Sequence, residues 1–354
     1  MSAVATQTSS LRPIAEYDRP LWQRLFATRE MAIIGLLVVV VIVATAIVPN
    51  FGSKITLTYL LMDMFPVLIM ALPMTAIIVT GEIDLSVASV VGFASVLTGV
   101  LTQAGVPFGL TIILAIAAGL IAGFINGILV TAVGLPSLAV TIGTLALYRG
   151  LAIGLLGTTA VTDFPQFWTD LAKAKLGSSG IPASVLIFVV LAVVFILMLH
   201  FTKFGRGIYS IGLSPEAARF SGVNVERTKL VLFVLSGAVA ALAGVYYTLR
   251  YGSARGDNAT GMEMQVIAAV LLGGVSIFGG RGALHGVIAG VLLIGVLGSA
   301  LRLANVGADV INIITGVLLI LAVISSSVFA AVREKAGGRK RRLAGMPAAK
   351  PENS

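Results

Sequence analysis

Ten apolar runs follow one another through this chain with little between them, most of them near the length of a bilayer crossing. A hydrocarbon core needs roughly 20 apolar residues per helix. The runs fall at about 31–48, 59–80, 87–103, 108–130, 136–156, 183–201, 230–249, 266–280, 285–303 and 309–330. Hydrocarbon offers no hydrogen-bond partner to a free backbone, so such a chain folds as membrane helices. The expected class is all-α: a polytopic transmembrane bundle of about ten spans with broken or re-entrant helices. The eighth run is short, and Gly273, Gly274, Gly279, Gly280, Gly282 and Gly286 mark the expected break after it.

Composition agrees with this pattern and removes several functions. The 354 residues are 58% hydrophobic and 11% charged, far below the charge of soluble domains. The 40 glycines suit close helix packing and irregular interior backbone. With no cysteine and only His200 and His285, disulfides and thiol-rich metal centres are excluded, and no metal site is expected. The net charge of +9 is read as marking cytoplasmic segments, with no nucleic-acid role.

Basic residues also set the expected orientation. With the N-terminus inside, seventeen lysines and arginines fall on the cytoplasmic side and six on the other, with Arg149 inside a span. Both termini are therefore expected in the cytoplasm. The organisation read from this is a cytoplasmic segment 1–30, a membrane domain 31–330, and a basic tail 331–354, expected to be disordered near anionic headgroups. Residues 157–182 form an expected outer loop with Phe164, Phe167 and Trp168 at the interface, and 202–229 the one sizeable inner loop.

Within "TGEIDLSV", Glu82 and Asp84 stand between two apolar runs. Gly81 suits a helix end, and Asp84 or Ser86 suits the N-cap of the next helix. The alternative is that the broken segment lines a polar passage, because ionisable groups at membrane depth usually face a cavity. Being two residues apart, both carboxylates can point one way, yet no nucleophile or metal-ligand set accompanies them, so catalysis is not expected. Asn126 lies between Gly123 and Gly127, and Thr141, Thr144 and Tyr148 share one helical face; each suits either helix packing or a polar lining. Arg149 is expected to snorkel or to meet a carboxylate. Arg255, Asp257, Asn258 and Glu263 are placed on the outer side, as a solvated loop, an outer gate or a docking contact.

The inner loop carries "LSPEAARFSGV" at 213–223. Ser214 suits an N-cap, Pro215 the first helical position, and Glu216 the positive end of a helix dipole. Ala217, Ala218 and Arg219 continue the helix and Gly222 ends it. A short amphipathic helix follows, with Phe220 as an apolar handle and a ridge of small alanines open to a partner. It is either a membrane-surface helix or a helix that docks in a cleft.

The runs "GEIDLSVASV" (81–90), "NGILVTAVGLPSLAVTIGTLALYRGLA" (126–152), "FGRGIYSIGLSPEAARFSGVNVERTK" (204–229) and "GSARGDNATGMEMQVIAAVLLGGVSIFGGRG" (252–282) resemble the permease subunit of simple-sugar ATP-binding-cassette importers. This is the branch of ribose, xylose, rhamnose and autoinducer-2 permeases, and the resemblance covers about residues 55 to 330. Where the family usually reads G-G-I-D-L-S-V-G, this chain has Glu82 and Ala88, Glu82 being a variant of rhamnose-type members. The resemblance implies a type II importer-like bundle in the bacterial inner membrane and a second permease subunit, identical or not. It also implies a periplasmic sugar-binding protein and a cytoplasmic ATPase that binds the ATP, with no cofactor in this chain. It makes the Glu216–Gly222 helix the coupling helix. No G-x-x-x-x-G-K-[ST] loop is present to hold phosphates, so the chain is not expected to be an enzyme. The expected cargo is a monosaccharide such as rhamnose or ribose, moved by alternating access. The alternatives are an ion-coupled secondary transporter, or a permease of the same superfamily for nucleosides or branched-chain amino acids.

Overall fold

The computed structural model describes residues 29–307, 309–318 and 320, and its regular elements among these are helices. They are α1 (Arg29–Ile47), α2 (Lys54–Val79), α3 (Val87–Gln103), α4 (Phe108–Thr131), α5 (Ser137–Leu156), α6 (Gln166–Lys173) and α7 (Ser184–Phe201). Then come α8 (Lys203–Leu213), α9 (Pro215–Phe220), α10 (Val225–Tyr251), α11 (Met262–Leu272), α12 (Leu284–Leu303) and α13 (Asp309–Leu318). Seven of these (α1, α2, α4, α5, α7, α10 and α12) are long and apolar enough to cross a membrane, and α3, α11 and α13 are shorter apolar helices. The N-terminal segment, the basic tail and residues 321–330 of the tenth run lie outside the described residues.

The helices sort into layers by how much of each is covered. In α2, 94% of the apolar window is buried, against 6% in α1, so α2 is the central column and α1 lies on the outside of the bundle. A helix that is apolar on every side belongs inside a bundle, which is the case for α2. It keeps Pro66 and Pro73 within its length, a feature membrane helices tolerate because neighbours re-satisfy the freed carbonyls. Around it stand α7, α10, α11 and α12, while α3 and α4 pack on α10 and α5 packs on α3.

Small residues fix the tightest crossing. Gly119 and Gly123 on α4 face Gly237 and the Phe233 carbonyl on α10, and Gly127 faces Leu230. Without β-carbons the two backbones touch, and dispersion replaces the missing hydrophobic drive between helices in lipid. A methyl group on Gly237 would be driven into the Gly119 carbonyl oxygen.

The two ends of the bundle differ. At one end α8 and α9 sit beside the α2–α3 turn, where Gly280 N–H donates to the Val79 carbonyl at 2.8 Å. Tyr209 of α8 donates to the Gly282 carbonyl at 2.9 Å. The eighth run, expected as 266–280, is shorter: helix stops at Leu272, and Gly274, Gly279, Gly280 and Gly282 all take positive φ in the segment before α12. At the opposite end Phe164 and Trp168 are only partly buried. They turn inward on Phe108, Val245 and Leu249, leaving Phe167 exposed.

Gly237→Val should lower the melting temperature of the detergent-solubilised protein or abolish its monodisperse elution, since overpacking costs about 1–3 kcal/mol or more. Gly143→Ala, whose added methyl meets nothing within 4 Å, should leave both unchanged.

Candidate functional site

Two interruptions of helix inside the bundle gather most of the polar side chains singled out above. The first is the turn from Thr80 to Ser86. Gly81 at φ +85° ends α2, and Gly81 N–H and Glu82 N–H return to the Ile78 and Ile77 carbonyls at 2.9 and 3.2 Å. The turn then reaches three other helices. Glu82 pairs with Lys229 near the start of α10, the two side chains being 17% and 15% exposed. Ile83 N–H donates to Ser137 Oγ at 3.2 Å and its carbonyl accepts from Thr141 Oγ1 at 3.3 Å, both on α5.

Asp84 is 2% exposed and accepts three hydrogen bonds. Its Oδ1 takes Ser86 N–H at 3.0 Å and Ser86 Oγ–H at 2.6 Å; its Oδ2 takes Ser236 Oγ–H at 3.0 Å. The carboxylate thus satisfies the amide at the start of α3, where the cap residue Ser86 makes no side-chain cap bond of its own. Ser86 Oγ in turn accepts from Asn126 Nδ2 at 2.8 Å, and Tyr148 OH donates to Asn126 Oδ1 at 3.4 Å and to the Ala122 carbonyl at 3.0 Å. Glu82 and Asp84 do lean the same way, toward residues 229 and 236 on one face of α10. Thr144 stands apart, its hydroxyl donating to Val140 of its own helix at 3.1 Å.

The second interruption is 252–261, between α10 and α11. It descends from a bridge between Val161 and Ala254 to the level of Ser95 and Gly92. Arg149 holds it there. Its Nη1 donates to the Gly256 and Asn258 carbonyls at 2.8 and 2.7 Å, and its Nη2 to Ala88 at 3.3 Å. Among the described residues no carboxylate lies within ion-pair distance of this guanidinium, so the expected pairing is not made. Unwound backbone presents free carbonyls, and a planar multi-donor group satisfies several at once. Asn258, expected as an outer contact, is 9% exposed and donates to Ser95 Oγ at 2.9 Å and to the Ser253 carbonyl at 3.0 Å. Arg255 and Asp257 remain outside as an exposed bidentate pair at 2.9 and 3.2 Å, which holds the Asp257 carboxyl below its usual range.

At the α8–α9 end, Ser214 accepts from Ala217 N–H at 3.2 Å, Pro215 opens the helix, and Gly222 turns out of it at φ +81°. Ala218 is buried against Ile211, Val223 and Val225, and Arg219 pairs with Glu226 of α10. Phe220 is 95% exposed. The expected alanine ridge is absent: Ala217 faces out, but Ala218 faces in because it anchors the helix.

Sequence reasoning missed Ser137, Lys229 and Ser236. Lys229 carried a signal, as the last charge before an apolar run. The two serines carried none, because serine in a membrane helix is common.

A membrane bundle with polar knots at two helix breaks and a braced surface helix has the architecture of a transport permease. The family model described as branched-chain amino acid transport system / permease component matches residues 56–323. The autoinducer 2 import system permease protein LsrD of Escherichia coli O157:H7 is 38% identical over 305 residues, covering 84% of this chain and 92% of that protein. The LsrD proteins of Escherichia coli K12 and Shigella flexneri are 37% identical over the same lengths. No solved structure matches the chain. The chain belongs to the permease family of simple-sugar ATP-binding-cassette importers. It is a multi-pass inner-membrane transport subunit with no ATPase site of its own.

Asp84→Ala should strip the acceptor from Ser86 N–H, Ser86 Oγ–H and Ser236 Oγ–H, each unsatisfied group costing about 1–3 kcal/mol. A fall in melting temperature, larger than that of Ser236→Ala, is the expected outcome in a thermal unfolding assay.

Proposed function

We propose that this chain is the membrane gate of an importer that carries a small hydroxyl-rich solute, a monosaccharide such as rhamnose or ribose, or an autoinducer 2-type molecule. The force comes from a separate cytoplasmic ATPase, the solute from a periplasmic binding protein, and the gate is completed by a second permease subunit. The α8–α9 end faces the cytoplasm, with both termini there; the excess of basic residues on that side supports this orientation.

One observation carries the reading: Phe220, 95% exposed, on a helix of six residues. So short a helix has no stability of its own. Here the Ser214 cap, buried Ala218 and the Arg219–Glu226 pair hold it rigid against α8 and α10. A large apolar side chain on a rigid polar mount suits a hot-spot anchor in a partner's cleft. Ser214, Pro215, Glu216, Ala217, Ala218, Arg219 and Gly222 are therefore the coupling element. A push on α9 passes through Glu226 into α10, and from Lys229 and Ser236 to Glu82 and Asp84. Glu82, Asp84, Ser86, Asn126, Thr141 and Tyr148 act in that route as the packed frame behind the passage, which the push moves as a unit. Thr144 shares their face. Arg255, Asp257 and Glu263 meet the binding protein, while Asn258 anchors the segment that carries them.

A second reading follows from the family description, which names branched-chain amino acids. ATP hydrolysis by the assembled complex decides between them. Stimulation by loaded monosaccharide-binding protein supports the first reading, and stimulation only by leucine- or valine-loaded protein supports the second. Phe220→Ser and Arg219→Glu should each weaken capture of the ATPase at least tenfold. Solute accumulation against a gradient by the chain without any ATPase would overturn both.

A further inference from the structure

The carboxylate knot leaves the solute little to bind, because its hydroxyls, amide and carboxylate are spent on one another and sealed. Asp84, Ser86, Asn126, Thr141 and Tyr148 are all 3% exposed or less. A different part of the bundle is open and carries several polar side chains in its wall. Thr260, Gly261, Met264 and Gln265, at the break and the first turn of α11, face Asn312, Thr315 and Gly316 of α13 across a cavity of about 320 Å³. That volume lies at the lower end of the ~300–1,000 Å³ typical of small-ligand sites.

Its depth is what gives the cavity meaning. The segment entering α11 has already descended to the level of Gly92, within α3, when Arg149 clamps the Asn258 carbonyl. Asn312 and Thr315 lie one and two turns into the apolar helix α13. Asn312 is exposed and Gln265 half-buried, and among the described residues neither amide has a hydrogen-bond partner. An amide turned to hydrocarbon costs several kcal/mol, so polar groups at this depth face water or a partner. Neighbouring Ile313, 65% exposed, points elsewhere and is apolar, as a lipid-facing or packed position requires.

We propose that this cavity is the solute's waypoint through the membrane. The Gln265 and Asn312 amides donate to and accept from a polyhydroxylated solute, the Thr260 and Thr315 hydroxyls, which already donate to the Asp257 and Ile311 carbonyls at 2.7 and 2.9 Å, accept from it, and Met264 offers the sugar ring an apolar surface. Uncharged amides and hydroxyls both donate and accept, so they match hydroxyl groups without holding them as an ion pair would. The inference rests on the importer reading for its solute, but its geometry stands independently of the energy source.

The absence of cysteine makes a direct test simple. Asn312→Cys, Gln265→Cys and Ile313→Cys are made singly in the full chain, assembled with ATPase and binding protein in nanodiscs, and treated with a negatively charged methanethiosulfonate. Only a hydrated thiol ionises and reacts, so the first two should label roughly tenfold or more faster than Ile313→Cys. In proteoliposomes, Asn312→Leu should lower sugar moved per ATP hydrolysed while complex assembly and basal hydrolysis persist. If Asn312→Cys does not assemble, Gln265→Cys carries the comparison. Labelling no faster than at Ile313→Cys, or unchanged transport by Asn312→Leu, overturns the proposal. ATPase-independent uptake together with fast labelling would overturn the importer reading and leave this waypoint standing.

Discussion

Backbone amides and carbonyls that leave a helix inside hydrocarbon must find partners within the protein, and two side chains meet that demand here. Asp84 accepts from the amide at the start of α3, and Arg149 donates to the carbonyls of the segment that breaks between α10 and α11. One break exposes donors and recruits an anion; the other exposes acceptors and recruits a cation. The rarity of charge in this chain and its location follow from the same requirement. The few ions at depth sit where helices stop.

Each anchor also joins elements that are distant in sequence. Asp84 ties the α2–α3 turn to α10 directly and, through Ser86 and Asn126, to α4 and α5. Arg149 joins α5 to α3 and to the descending segment. The glycine contacts of α4 and α10 let these bonds form at short range. The core therefore behaves as a stiff frame, and the open features, Phe220 at one end and the cavity by α13, lie at its margins.

Much of this frame was legible in the sequence. The apolar runs placed ten helices, because burial of apolar length against lipid depends only on local composition. Ser214, Pro215 and Gly222 marked the short surface helix because capping is local chemistry. Even the split of the eighth run was visible as a glycine cluster, although its helix ends at Leu272, short of the expected 280. The partners were not legible. That Glu82 would meet Lys229 is a contact across 147 residues, and nothing near either position encodes it.

By itself, then, the sequence determined that the chain is a membrane bundle, where its helices break and which short helix it shows at one surface. Those are properties of hydrocarbon length, glycine and caps, each set by a few neighbouring residues. Only the tertiary structure decided that the conspicuous carboxylate is consumed as a structural acceptor, that Ala218 faces inward, and that Gln265 and Asn312 share a cavity. Hydrogen-bond satisfaction and burial depend on which helices come to lie side by side, and a linear pattern of apolar residues cannot specify that.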